Sequence, residues 1–302
     1  MKRLFKLPGT LLLLAAAFPA AAQQLNVFAC EPEWAALATE LGGDRIEAYS
    51  ATTAVQDPHH IQARPSLIAK VRRADLVVCS GAELEIGWLP MLLRQAGNPA
   101  VLPGKPGHFE ASSFVERLEI PQQLDRTMGD VHASGNPHVH LDPRRLARIA
   151  GELSARLTEL DAANREHYQR RYQDFDRRWQ QAIVRWEKIA QPLRGVRAVV
   201  HHKDWVYLFD WLGMVEAGAL EPKPGLPTSV GHLATLKRDL EREPARMILH
   251  TAYQNDRAAQ RLSGMSGLTV VKLPYTVGGS ERTGDLFGLF DDTLDRLLAA
   301  AR

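Results

Sequence analysis

The stretch DAANREHYQRRYQDFDRRWQQAIVRWEKIAQP, residues 161–192, divides the chain. Tyr168, Tyr172, Phe175, Trp179, Ile183 and Trp186 recur every three or four residues among Arg, Glu and Gln, the spacing of one buried face on a long helix. Asp161 offers an N-cap, Pro192 with Gly195 marks the end, and a shorter helix precedes it from Pro143. The aromatic stripe reads as packing and suggests no cofactor. On either side the pattern changes to short apolar runs alternating with helical stretches, at residues 25–29, 46–50 and 76–79 before it and at 198–201, 247–250 and 268–273 after it. That alternation is the mark of βαβ units around parallel sheets. The expected fold class is therefore α/β: an N-terminal lobe over 23–160, one long connecting helix over 161–192, and a C-terminal lobe over 193–302. Loops at the carboxyl ends of the strands then line an interlobe cleft, where a ligand is expected.

Of the 302 residues, 45% are hydrophobic and 24% charged, which excludes a disordered or collagen-like chain. The first 22 residues form an export signal, with Lys2, Arg3 and Lys6 ahead of an apolar run from Leu11 to Phe18 and a small-residue cut at Ala20-Ala21-Ala22. The uncharged stretch is too short for a spanning helix, which needs about 20 residues. Cys30 stands too far past the cut to be a lipid attachment site, so soluble export to the periplasm is expected. Losing Lys2, Arg3 and Lys6 takes three positive charges from the formal net +2 and leaves −1. A nearly neutral mature chain lacks the basic excess that nucleic-acid binding requires.

Two cysteines, Cys30 and Cys79, each follow or end an apolar strand-like run. If those strands lie side by side in a parallel sheet, both sulfurs emerge at one edge and close a disulfide in an oxidising compartment. Two separate buried thiols are the alternative.

Eleven histidines carry the chemistry. Three groups sit in short polar segments: Asp57-Pro58-His59-His60, Asn136-Pro137-His138-Val139-His140-Leu141-Asp142-Pro143 and His201-His202-Lys203-Asp204-Trp205. Neutral imidazoles from separate loops, converging in a cleft, make a tetrahedral site for zinc or a neighbouring divalent metal. The cysteines are too far apart for a zinc finger. By contrast His108, His167 and His232 fall in surface-like stretches.

These segments, in this order behind an export signal and together with Gly42-Gly43-Asp44-Arg45-Ile46-Glu47 and Ala74-Asp75-Leu76-Val77-Val78, resemble a known family. It is that of the periplasmic zinc- and manganese-binding proteins of ABC importers, the zinc-uptake type of the cluster A-I solute-binding proteins. The resemblance implies ligands at His59, His138 and His202, with His60, His140 and His201 as neighbours. It also implies two (β/α) lobes with little hinge motion and delivery of the metal to an ABC importer permease at the inner membrane. A monomer fits such a shuttle. The segment Leu220-Glu221-Pro222-Lys223-Pro224-Gly225-Leu226-Pro227 resembles a loop in one branch of the family, and only turn stiffness accounts for its prolines.

Manganese-type members add a late carboxylate, where this chain has Leu273-Pro274-Tyr275-Thr276, and the long His- and Asp-rich loop of many zinc-specific members is missing. The fourth ligand stays open among water, His60, Asp204, Glu281 and Asp285. A nitrogen-rich site short of carboxylate favours Zn2+ over Mn2+. A ligating imidazole usually gives its second N–H to a carboxylate or carbonyl. Asp57 and Asp142 are candidates, although Asp142 ahead of Arg144-Arg145 reads better as a helix start.

The competing expectation is a secreted zinc-dependent hydrolase built on His138-Val139-His140-Leu141-Asp142, a His-x-His-x-Asp segment whose metal would activate water. It puts Pro143 where another His belongs and leaves His59 and His202 without a role. No nucleophile elbow or phosphate-cradling glycine loop supports an enzyme.

Overall fold

The computed structural model describes residues 24–123 and 132–302. The expected export signal lies outside the described residues, among which no helix is long and apolar enough to cross a membrane.

The first sheet is built from β1 (Leu25–Ala29), β2 (Ile46–Ser50), β3 (Leu76–Cys79) and β4 (His108–Glu110), all parallel, in the order β2-β1-β3-β4. The second comprises β5 (Arg197–Val200), β6 (Val215–Ala219), β7 (Met247–His250) and β8 (Thr269–Lys272), again parallel and in the equivalent order β6-β5-β7-β8. Leu-Val-Val-Cys in β3 and Met-Ile-Leu-His in β7 are buried at every position, as strands covered on both faces must be. The strands β4 and β6 escape the sequence pattern. Both are edge strands, β4 only three residues long and β6 carrying Glu216 and Gly218, so neither has the apolar run that burial on two faces demands.

The helices are α1 (Pro32–Gly42), α2 (Pro65–Arg73), α3 (Leu89–Ala96), α4 (Pro143–Leu160), α5 (Arg165–Ile189), α6 (Val206–Leu212), α7 (Val230–Arg242), α8 (Arg257–Ser266) and α9 (Leu286–Ala301). Helix α4 starts where the sequence places it: Pro143 occupies its first turn and Asp142 Oδ1 accepts the Arg144 N–H at 2.8 Å. Helix α5 begins four residues later than expected. Asp161 does not cap it; instead its carboxylate accepts the Tyr168 hydroxyl at 2.8 Å and the Asn164 amide at 2.7 Å, bracing the turn between α4 and α5.

The stripe on α5 does what its spacing predicts. Tyr168, Phe175, Trp179, Ile183 and Trp186 are buried, whereas Tyr172 is only half-buried. Trp179 stands edge-on to Trp186 at 5.1 Å and to Phe287 of α9 at 4.8 Å, and Trp186 lies 5.0 Å from Phe290. Its indole N–H donates to the Pro143 carbonyl at 2.8 Å in the case of Trp179. One hydrophobic core thus runs without interruption from Val27 and Leu76 of the first sheet, through α4 and α5, to Val200 and Leu249 of the second. Each large side chain so buried is worth roughly 1.5–3 kcal/mol, so rocking one sheet against the other would expose a face the fold needs covered.

At the carboxyl end of the first sheet, Cys30 follows β1 and Cys79 ends β3. The register pairs Ala29 with Val78, which brings the two Cα atoms to 4.8 Å, and a disulfide joins them.

Candidate metal centre

His59 lies in the loop after β2, His138 in the short turn ahead of α4, and His202 just beyond β5. One ring nitrogen from each comes within 4.8 Å of the others. The rings face one another edge-on, with centroids 5.5 to 6.2 Å apart.

Each imidazole has its Nδ1 occupied by a different side chain. His59 Nδ1 donates to Asp57 Oδ1 at 2.8 Å, and the same oxygen accepts the His59 backbone N–H at 2.9 Å. The Pro58 carbonyl between them accepts the indole N–H of buried Trp88 at 2.8 Å, which fixes this loop to the first sheet's core. His138 Nδ1 is 2.7 Å from the Tyr275 hydroxyl, and His202 Nδ1 is 2.7 Å from Glu221 Oε2. In all three rings Nε2 is the nitrogen these partners leave over.

Asn136 ties the second and third segments together. Its Oδ1 accepts the His138 N–H at 3.0 Å, its Nδ2 donates to the Lys203 carbonyl at 2.9 Å, and its own carbonyl accepts the Tyr207 hydroxyl at 2.7 Å. Beneath them Asp204, fully buried, accepts from Tyr253 Oη at 2.9 Å and Gln254 Nε2 at 2.7 Å, with Oδ1 3.8 Å from His138 Nε2.

Burial would raise the Asp57 and Glu221 carboxyls, but hydrogen bonds and charge from His59 and His202 outweigh it and hold both below the usual carboxylate range. Both are therefore ionised at neutral pH. Burial pushes His202 down, yet Glu221, Asp204 and Asp57 together raise it to about 9. Burial, reinforced by His59 and His202, holds His138 well below an ordinary histidine and brings His132 to about 3. Three imidazoles surrounded by three carboxylates make a pocket whose field favours a cation.

The sequence profile of the family described as "Zinc-uptake complex component A periplasmic", ZnuA, matches residues 27–300. The chain belongs to that family. ZnuA proteins are solute-binding components of ABC importers and not enzymes. Among curated relatives, the metal ABC transporter substrate-binding lipoprotein ScbA of Streptococcus cristatus is 27% identical over 150 residues, 49% of this chain and 45% of the relative. The manganese ABC transporter substrate-binding lipoprotein PsaA of Streptococcus anginosus is 26% identical over 156 residues, 51% of this chain and 47% of the relative. The matched part spans about half the length of these relatives. A crystal structure of ZnuA superposes with a TM-score of 0.74 at 19% identity, covering 91% of this chain and 99% of that one. A manganese-bound periplasmic metal-binding protein from Candidatus Liberibacter asiaticus gives 0.74 at 14% identity, covering 93% and 100%. At these identities the likeness is one of fold: two sheets of parallel strands joined by a long helix.

Within this ZnuA-type fold the other sequence candidates fall outside the three-nitrogen group. His60 is exposed, its ring 6.2 Å from that of His59. His140 is buried with Nε2 3.0 Å from the Tyr275 carbonyl and Nδ1 3.2 Å from Glu33. His201 Nε2 is 3.9 Å from Glu221. Asp142 is spent on the α4 cap and on Arg144 and Arg145, so His138, His140 and Asp142 do not converge as a hydrolase motif would require. Asp285 caps α9 through the Gly288 N–H, and Glu281 is exposed. His167 and His232 hydrogen-bond backbone carbonyls away from the centre. His108 is not a surface residue: it lies in β4 with Nδ1 on the Val101 carbonyl.

Sequence reasoning missed Glu221, Asn136, Tyr253 and Gln254, and named Tyr275 only for the acid it is not. Glu221 lay inside a segment already singled out for its prolines, where Gly225 N–H now donates to its carboxylate at 2.9 Å. Asn136 stands in the Asn136-Pro137-His138 segment itself, two residues ahead of the imidazole it orients, whereas Tyr253 and Gln254 carry no local signal.

Proposed function

We propose that the protein captures zinc in the periplasm through Nε2 of His59, His138 and His202 and delivers it to an ABC importer permease at the inner membrane. The observation that carries this is the triple anchoring of Nδ1. An imidazole that gives Nδ1–H to a carboxylate has only Nε2 left for a metal, which is how Asp57 holds His59 and Glu221 holds His202 once its Nε2 proton is lost, while the Tyr275 hydroxyl fixes the His138 ring through Nδ1. The lobes over 23–160 and 193–302, with 161–192 between them, would then be the two walls of the cleft, and residues 1–22 the export signal.

Nitrogen donors favour zinc over manganese, which prefers oxygen ligands. Asp204, whose Oδ1 is 3.8 Å from His138 Nε2, is committed to Tyr253 and Gln254. Some relatives are named for manganese, so the two metals are tested together. Purified mature protein should hold one zinc per chain by mass spectrometry, and zinc should outcompete manganese in a chelator titration. His59→Ala, His138→Ala and His202→Ala should each lose binding, while His167→Ala and His232→Ala should not. Equal losses across all five would sink the assignment.

A further inference from the structure

We propose that His132 is the fourth nitrogen ligand, closing the site as four imidazoles; this rests on the zinc reading above. His132 Nε2 is 3.3 Å from His59 Nε2, and the two rings stack at 5.3 Å. Two nitrogens bound to one tetrahedral zinc at ~2.0–2.1 Å stand about 3.3–3.4 Å apart, so this pair already has the spacing of one tetrahedron edge. The His132 ring lies edge-on to His138 at 6.4 Å, and His132, His138 and His202 line one cavity of about 440 Å3.

The position of His132 is built. Gly81, Ala82 and Glu83 take positive φ in succession, 74°, 48° and 69°, a conformation that costs roughly 1–2 kcal/mol for each of the two non-glycine residues. The turn aims Glu83 Oε2 at the Ala133 backbone N–H, 2.7 Å away. Gly135, at φ 98°, donates its N–H to the His132 carbonyl at 3.1 Å. Glu83 is thus a positioning residue: it holds the backbone next to His132 against the loop after β3. Four imidazoles leave no coordination position for a reactive water, which suits a carrier and not a hydrolase.

The test is zinc-edge X-ray absorption and the visible spectrum of the Co2+-loaded protein, with zinc affinity, for wild type, His132→Asn, His132→Cys and Glu83→Gln. Wild type should show four imidazoles. His132→Asn should show three and an oxygen, with affinity lower by at least the about 10–100-fold that losing an outer partner of a ligand costs. His132→Cys should restore affinity and add a thiolate-to-cobalt band, a signature no structural role would produce. Glu83→Gln should weaken binding alone and add nothing in the His132→Asn background. If His132→Asn leaves spectrum and affinity unchanged while His138→Ala abolishes binding, His132 is not a ligand and the three-histidine site stands. Should His138→Ala also change nothing, the zinc reading itself fails.

Discussion

Glu221 Oε2 and His202 Nδ1 lie 2.7 Å apart, joining the segment after β6 to the segment after β5. The carboxylate also accepts the Gly225 N–H, so the turn that follows β6 orients the imidazole it does not itself contain.

Glu221→Gln should weaken zinc binding by about 10–100-fold, the usual cost of removing a carboxylate behind a metal-bound histidine. The measurement is competition against a chelator of known strength. A wild-type affinity in this variant would mean that the pair does not set the His202 tautomer.

The same pair should make metal-free stability depend on pH. His202 is raised to about 9 from an ordinary ~6.5. Its contribution is therefore fully present below pH ~6.5 and lost as pH rises through 9, with an upper bound on the order of 3 kcal/mol. Melting temperatures of metal-free wild type should fall across that window, and those of Glu221→Gln should fall less. Zinc binding should release a proton in the same range, which calorimetry in buffers of different ionisation enthalpy would detect.

Tyr275→Phe removes the hydroxyl that meets His138 Nδ1 and leaves its ring among His140, Trp205 and Tyr253. Folding should survive with a loss of about 0.5–1.5 kcal/mol, and zinc affinity should drop by about tenfold or more. Chemical denaturation separates the two effects.

Buried Glu85 has its pKa raised to about 7 by burial, and Glu31 beside it is raised well above the carboxylate range by burial and by Glu85 and Glu33. Both bind protons in the folded state that the unfolded chain gives up near ~4.5. Stability from this pair is therefore lost as pH rises from about 4.5 through 7. Glu31→Gln, which needs no proton to be buried, should melt higher than wild type at pH 8 and no higher at pH 5. The reverse order would show that Glu31 is ionised in the fold.

Reducing the Cys30–Cys79 bond, or replacing both residues by Ala, opens a loop spanning 49 positions. Chain-entropy reasoning puts the cost at about 4 kcal/mol. Zinc affinity in the still-folded population should be unchanged, because neither sulfur contacts the three histidines. Denaturant midpoints with and without a reducing agent give the first number, and titration in the folded baseline gives the second.

Periodicity and local chemistry along the chain encode one part of this architecture. The stripe from Tyr168 to Trp186 specifies α5, and the apolar runs ending at Ala29, Cys79 and His250 specify central strands, because burial on two faces leaves no choice of residue. Asp142-Pro143 specifies the start of α4 by capping. The histidine segments were legible because polar, Pro-bounded loops after strands have few structural reasons to hold imidazoles. Tertiary structure decided the rest. The strands β4 and β6 exist only because a neighbouring edge accepts them, and Asp161 braces a turn because Tyr168 reaches back to it. Tyr275 meets His138 from 137 positions away, Glu221 meets His202 from 19, and His132 meets His59 from 73. Ring orientation depends on hydrogen bonds a few ångströms long between side chains distant in the chain, and no local pattern records such a distance.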